Sequence, residues 1–366
     1  METLTTSDGT ETPYRVDELV ASGDAHQIAR AHHQEQGRDV AVRTVLYGAD
    51  ATDDEIAFRR RQLREQWEFL QDVADAAVAP TPVEWLEVED SPVEQVPEPL
   101  IVCELVEGPT LYEWVSDKHA EGLGLQRALS MVDELAAFLQ VVHEAGWLWR
   151  DFDPRRFIVA DEDERLRAVS VSAVMRRRGE SAVMRVNEDY TAPEVRQPAD
   201  EKLRRPAADL YGVGALLSFL VTGEQPRHRV ESPISFRAYE KVHQHDEPGL
   251  ELLLARLLQP RAQRRMESAE QLRQFCSVET LPGEQTEGFE DCRLPTVWEG
   301  MDIEEPEQHR GLQSSLSEGP LVSVAGDGEA QEAPQPPEPS GIDWRVVAVV
   351  VVVVVVVVGV GVWVGR

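Results

Sequence analysis

Residues 143–159, HEAGWLWRDFDPRRFIV, gather side chains that can move protons and hold anions. Asp151 follows Arg150, with Asp153 two positions on and Arg156 five positions on. A loop aspartate in such company has two uses. It can take a proton from a substrate hydroxyl as a general base, or accept hydrogen bonds from its own loop. An arginine offers donors only and cannot ligate a metal ion.

Groups of this kind work only when rigid elements hold them. DVAVRTVLY (39–47) alternates β-branched residues and reads as a strand, and PLIVCELVEG (99–108) as an apolar strand ending at a glycine turn. FRRRQLREQWEFLQDV (58–73) reads as a helix. RALSMVDELAAFLQVVHEAG (127–146), DLYGVGALLSFLVTGEQP (209–226) and GLELLLARLLQP (249–260) carry apolar positions at helical spacing. Strands come first and helices dominate later, which predicts an α+β chain: a small sheet-rich lobe followed by a larger helical lobe.

Residues 14–277 resemble a bacterial Ser/Thr protein kinase domain. HEAGWLWRD has the H-x-x-G-x-x-H-R-D spacing, with Trp149 where the family has His. YTAPEV (190–195) resembles the family's APE segment. DLYGVGALLSFLVTG resembles the helix that follows, with Asp209 where the family braces the catalytic loop's backbone. RRMESAEQL (264–272) resembles the entry to the final helix, where an arginine pairs with the APE glutamate. That implies Glu194 with Arg265 or Arg264.

The resemblance implies a two-lobed fold and a cleft for ATP, and it exposes what has changed. The glycine-rich loop aligns with LVASGDAHQIARA (19–31), where Gly23 remains and Ala21 and His26 hold the other two glycine positions. The strand lysine that holds the α- and β-phosphates is Arg43, whose expected helix partner is Glu65. Either a lobe-bracing ion pair or phosphate coordination fits that arginine. The backbone at Glu104 and Val106 would face adenine. Asp151 keeps the general-base position, but Asp153 replaces the lysine that meets the γ-phosphate, putting negative charge beside a negative substrate. The metal-binding asparagine is Arg156 and the metal-binding aspartate of DFG falls on Ser170, with no acid from 167 to 175. ATP is compatible with this set; Mg2+ is not, and no other metal site is read. Trp149 and Val171 still supply apolar bulk where the family stacks a column between its lobes.

Composition sets further bounds. Asp plus Glu total 67 against 36 Lys plus Arg, a net charge of −31, which disfavours nucleic acid as a partner. Cys103, Cys276 and Cys292 show no CxxC spacing, so neither a disulfide framework nor a zinc site is read. His32-His33 and His243-x-His245 are read as surface residues.

Residues 1–13 are polar and expected to be disordered, and 278–343 are acidic and rich in Pro and Glu, the composition of an extended linker. Residues 344–364 are expected to form a transmembrane helix, and 346–364 within it hold no charge over 19 positions. At about 1.5 Å per residue, a helix of that length nearly spans a ~30 Å hydrocarbon core. Trp344 and Trp363 stand near its ends, as interfacial aromatics do. Gly361 and, one position past the run, Gly365 make one GxxxG, the spacing of a weak helix pair. METLTTSDGTETPYR has neither the basic region nor the apolar run of an export signal, so the kinase-like domain is expected in the cytoplasm, single-pass at the membrane. The expected function is a membrane-tethered pseudokinase that binds or scaffolds signalling proteins. The alternatives are an active Ser/Thr kinase with atypical metal use and a nucleotide sensor.

Overall fold

The computed structural model describes residues 2–6, 9–22, 26–48, 50–88, 98–178, 186–195, 205–227, 233–245, 247–276 and 294. All lie in the first of two compact units, residues 1–304; the second, 305–366, is outside the described residues. So are Gly23, Cys292, the apolar run 346–364 and the pair Gly361 and Gly365. Among the described residues no helix is long and apolar enough to cross a membrane.

The β-branched segments form β1 (Glu2–Thr5), β2 (Glu11–Ser22), β3 (His26–His33), β4 (Arg38–Val45), β5 (Pro82–Val88) and β6 (Glu98–Glu104). They make one antiparallel sheet in the order β1-β2-β3-β4-β6-β5. Tyr14, Val40, Leu86 and Val102 pack together in one core cluster. Val45 and Ile101 join another, shared with Leu63 and Phe69 of α1 (Asp53–Asp72), which lies against β4, β5 and β6. Thr52 caps α1 by accepting from the Glu55 backbone N–H, and three acids sit in the first turn, where the helix dipole favours them.

The larger lobe is helical: α2 (Leu111–Lys118), α3 (Leu125–Glu144), α4 (Pro206–Thr222), α5 (Phe236–Gln244), α6 (Pro248–Leu257) and α7 (Ala269–Cys276). A capping box between Thr110 and Glu113 starts α2. Nearly every residue of α4 is buried, so it is the core around which α3, α5 and α6 pack. Gly212 of α4 leaves room for the Phe152 ring; a Cβ there would sit 2.0 Å from Phe152 Cδ2. Between α3 and α4 lie β7 (Trp147–Leu148), β8 (Phe157–Val159), β9 (Leu166–Ala168) and β10 (Met175–Arg176), paired β8 with β9 and β7 with β10. The α+β order of a sheet-rich lobe before a helical one is therefore as expected.

Three expectations need correction. Residues 2–5, expected to be disordered, form β1, paired with β2 so that Glu2 faces Val16 and Thr5 faces Glu11. An edge strand tolerates polar residues, which is why composition hid it. Leu294, inside the expected linker, is 4 % exposed and belongs to the main core. An average over an acidic, proline-rich composition does not reveal a single apolar side chain that docks on the core. His33 is buried rather than on the surface, edge-on to Tyr14 at 4.9 Å. Strand alternation sends its neighbour His32 the other way, to Asp39.

Candidate functional site

The loop between β7 and β8 is hung on Asp209. This carboxylate, fully buried in α4, accepts from the backbone N–H groups of Trp149 and Arg150, each at 2.9 Å. His143 Nε2 meets it at 2.9 Å. Arg150 has φ 70°, a left-handed backbone that costs an ordinary residue about 1 kcal/mol or more. The bonds to Asp209 on Trp149 and on Arg150 itself hold that turn.

The Trp149 indole donates to the Asp151 carbonyl at 2.6 Å. Its ring lies 5.8 Å from Phe69, 5.2 Å from Phe138 and 6.2 Å from Phe157, centroid to centroid. Phe69 belongs to α1 and Phe138 to α3, so this tryptophan joins the lobes through an aromatic stack. Val171 is buried in the same core. Around it α1 is tied down further. Trp147 Nε1 donates to Asp72 at 2.8 Å, and Arg176 donates to Glu68 at 2.6 Å while lying 4.2 Å over the Trp147 ring.

Asp151 is 5 % exposed. Burial pushes its carboxyl up to about 6 from 3.8; Arg156 pulls it down, and Asp153 pushes it up. Arg156 Nε stands 3.5 Å from Asp151 Oδ2, with the rest of the guanidinium half-exposed. Asp153, expected to present negative charge to a substrate, instead turns to its own chain. It accepts from the Arg155 N–H at 2.9 Å, capping the short turn Pro154–Arg156, and from Asn187 Nδ2 at 2.9 Å. Ser170 shares a 2.9 Å hydrogen bond with Ser172.

On the upper wall Arg43 is buried, and it does not meet Glu65 as expected. Its guanidinium donates to Gln66 Oε1 at 2.9 Å and to the Val169 carbonyl at 2.8 Å. Glu65 is buried one position earlier on α1. Helical spacing does not choose between the two: Gln62, Glu65 and Phe69 line up at i, i+3 and i+7 on the buried face just as Leu63, Gln66 and Leu70 do. His26, read only as a substituted glycine, reaches Gln66 Nε2 at 2.9 Å. Sequence spacing gave no signal for that contact or for Asn187. β6, at whose exit the resemblance implies adenine, stops at Glu104, whose carboxylate accepts from the Thr81 N–H and hydroxyl, and Val106 is half-buried. Gly23 lies outside the described residues.

At the far end Arg265 grips Glu194 with both terminal nitrogens, at 2.6 and 2.9 Å. It also donates to the carbonyls of Gln259, Ala207 and Pro260 and lies 5.0 Å over Tyr211. This planar fork suits arginine, and the choice left open with Arg264 falls to Arg265.

The Mg2+–ATP implied by the resemblance can be tested against these groups. Mg2+ needs carboxylate or carbonyl oxygens in near-octahedral array. Position 156 brings a guanidinium and position 170 an uncharged hydroxyl. Among the described residues no three His, Cys, Asp or Glu side chains converge to hold a metal ion. The residues present do not fit the metal.

Serine/threonine-protein kinase PknA of Mycobacterium tuberculosis is 26 % identical over 220 residues, 58 % of this chain and 47 % of that protein. Serine/threonine-protein kinase PksC of Streptomyces coelicolor is 26 % identical over 284 residues, 72 % of this chain and 48 % of its own length. The calcium-dependent protein kinase SK5 of Glycine max is 30 % identical over 156 residues, 40 % of this chain and 29 % of that protein. The chain spans about half the length, or less, of these curated relatives. The Asp209 brace and the Glu194–Arg265 pair agree with a match to the protein kinase domain pattern over residues 14–276: the chain belongs to the protein kinase domain family.

Proposed function

We propose that this chain is a membrane-tethered pseudokinase, a binding or scaffolding module that no longer transfers phosphoryl groups. The observation that carries the reading is Arg156 beside Asp151. A cation occupies the position of a metal ligand and pairs with the retained base. Phosphoryl transfer in this family depends on positioning and on metal ions that neutralise developing charge. With Ser170 in the other ligand position, the clamp is gone and several kcal/mol of transition-state stabilisation with it. The bracing groups Asp209, Glu194 and Arg265 remain, which preserves a surface for protein partners in signalling. The uncharged run 346–364 supplies the membrane anchor, with its GxxxG favouring a weak homodimer.

One observation favours active catalysis as a second reading. Asp151 is present, and burial holds it at about 6, within the range useful to a general base. The test uses the full chain in detergent with radiolabelled ATP and either Mg2+ or Mn2+. No autophosphorylation and no labelling of generic substrates is expected. Label that disappears in Asp151→Asn would establish the second reading instead. The anchor is checked alongside: the full chain should stay with membranes through a carbonate wash, and a chain cut before Trp344 should not.

A further inference from the structure

The outer side of α1 and β5, away from the cleft, carries an aromatic and cationic face. Trp67 of α1 and Trp85 of β5 are both half-buried, with ring centroids 6.2 Å apart. The exposed Arg64 guanidinium lies 3.8 Å over the Trp85 ring and 3.5 Å from Glu87. Arg61, one turn earlier, is exposed and has no ion-pair partner among the described residues. Of the other acids nearby, Glu68 is taken by Arg176, and Glu84 turns to Tyr14 on the opposite face of the sheet. Two arginines and two indoles thus share a surface in a chain of net charge −31.

The backbone beside this face is also open. β5 ends the sheet and is hydrogen-bonded to β6 on one side. On its other side the described residues give it one bridge, between Val88 and Thr6. The outward N–H and C=O groups before Val88 are a template for another extended segment. Strand addition at such an edge takes its affinity from main-chain hydrogen bonds and its specificity from alternate side chains.

The occupant is argued from the chain that follows α7. Leu294 lies 18 positions beyond Cys276, yet it belongs to the core cluster against which Trp67 and Trp85 pack. The first compact unit runs on to residue 304. At most about 14 Å of extended chain separates Leu294 from Trp298. Thr296, Val297 and Trp298 are residues that favour strands, and Glu299, Asp302, Glu304 and Glu305 follow them. A short β-forming run with one tryptophan and an acidic continuation is complementary to an open edge lined by indoles and arginines.

We propose that residues 296–305 of this chain dock on the outer face of its own small lobe, adding a strand to the free edge of β5, with Trp298 against the Trp67–Trp85 pair and the acids that follow facing Arg61 and Arg64. Leu294 is the anchor that keeps the segment near the domain, so docking is intramolecular and needs little intrinsic affinity. The tether to the rest of the chain then starts beyond residue 305 instead of at 278. The face is covered by the chain itself until something displaces the segment.

The test is hydrogen–deuterium exchange on the full chain in detergent, read on peptides covering 82–88 and 296–305. Both should exchange at least tenfold more slowly in the parent than in Trp298→Ser. Arg64→Glu, which changes an exposed side chain and sets a like charge beside Glu87, should release both in the same way, while α4 peptides stay as protected as in the parent. Mixing the two variants should restore nothing, and protection in the parent should not change over a hundredfold range of concentration. Rapid exchange of 296–305 in the parent, or slow exchange confined to the neighbours of Leu294, would overturn the proposal. Protection that survives Arg64→Glu would put the segment on another face. Protection recovered in the mixture, where one chain brings the intact face and the other the intact segment, would make a second copy the occupant and overturn the intramolecular assignment.

Discussion

Replacing Asp151 by Asn removes a charge from a site that is 5 % exposed. In the folded chain burial holds this carboxyl at about 6, against 3.8 for the free group. Above pH 6 the native protein must keep a buried carboxylate that the unfolded chain carries in water, so the penalty is complete there. Between pH 6 and 3.8 the native state binds a proton that the unfolded state lacks, and stability rises as pH falls. Below 3.8 both states are protonated and the penalty is gone. About two decades of pH at about 1.4 kcal/mol each give ~3 kcal/mol. The asparagine is neutral throughout and nearly isosteric. The lost contact with Arg156 subtracts little, because it spans 3.5 Å and that arginine is half-exposed. Asp151→Asn should therefore stabilise the protein by about 2–3 kcal/mol at pH 8, or roughly 4–10 °C in Tm for a domain of this size. The gain should shrink as pH falls through 6 toward 4. Denaturant unfolding of both proteins at pH 8, 6 and 5 reads it. A variant less stable than its parent at pH 8, or a gain independent of pH, would refute the account of Asp151 as a buried and penalised carboxylate.

Glu194→Ala strands the buried Arg265 and should cost about 3–5 kcal/mol, whereas Ser170→Ala loses one hydroxyl contact and should stay within about 1 kcal/mol. Urea midpoints compare the two, and equal effects would mean that the Arg265 pair is not what holds this end of the lobe. Gly212→Ala places a Cβ 2.0 Å from Phe152 Cδ2 in a packed core and should cost about 1–3 kcal/mol. Adding Phe152→Leu should recover part of the loss; a single variant as stable as its parent would show that the Phe152 ring can move aside.

Much of this was legible in the sequence because it rests on spacing. The bracing aspartate, the APE glutamate and the arginine before the last helix are fixed by distance along the chain, and Asp209, Glu194 and Arg265 lie where that spacing put them. What spacing left open was which of two adjacent arginines fits a five-donor fork, because that depends on the carbonyls of Gln259, Ala207 and Pro260. Arg43 went to Gln66 instead of Glu65 for a related reason: a charge match favoured the carboxylate, but both residues lie on the buried face of α1 and spacing does not separate them. The inward turn of Asp153 was hidden because its partner Asn187 lies 34 positions away. β1 escaped notice because an edge strand needs no apolar alternation on its open side.

The clamps on α1 have a consequence for how such a domain can carry information. Asp72 is held by Trp147, Glu68 by Arg176, Phe69 by Trp149 and Gln66 by Arg43. Kinase-fold switches work by moving this helix between two positions, and a ligand shifts such an equilibrium only by its difference in affinity for the two. These four contacts from the chain's own residues favour the position seen, so a ligand displaces α1 only if it binds the other position more tightly by at least what the contacts contribute together. Loosening any one of them, by a substitution or a partner that competes for Trp147 or Arg176, lowers that threshold for every ligand of the cleft at once.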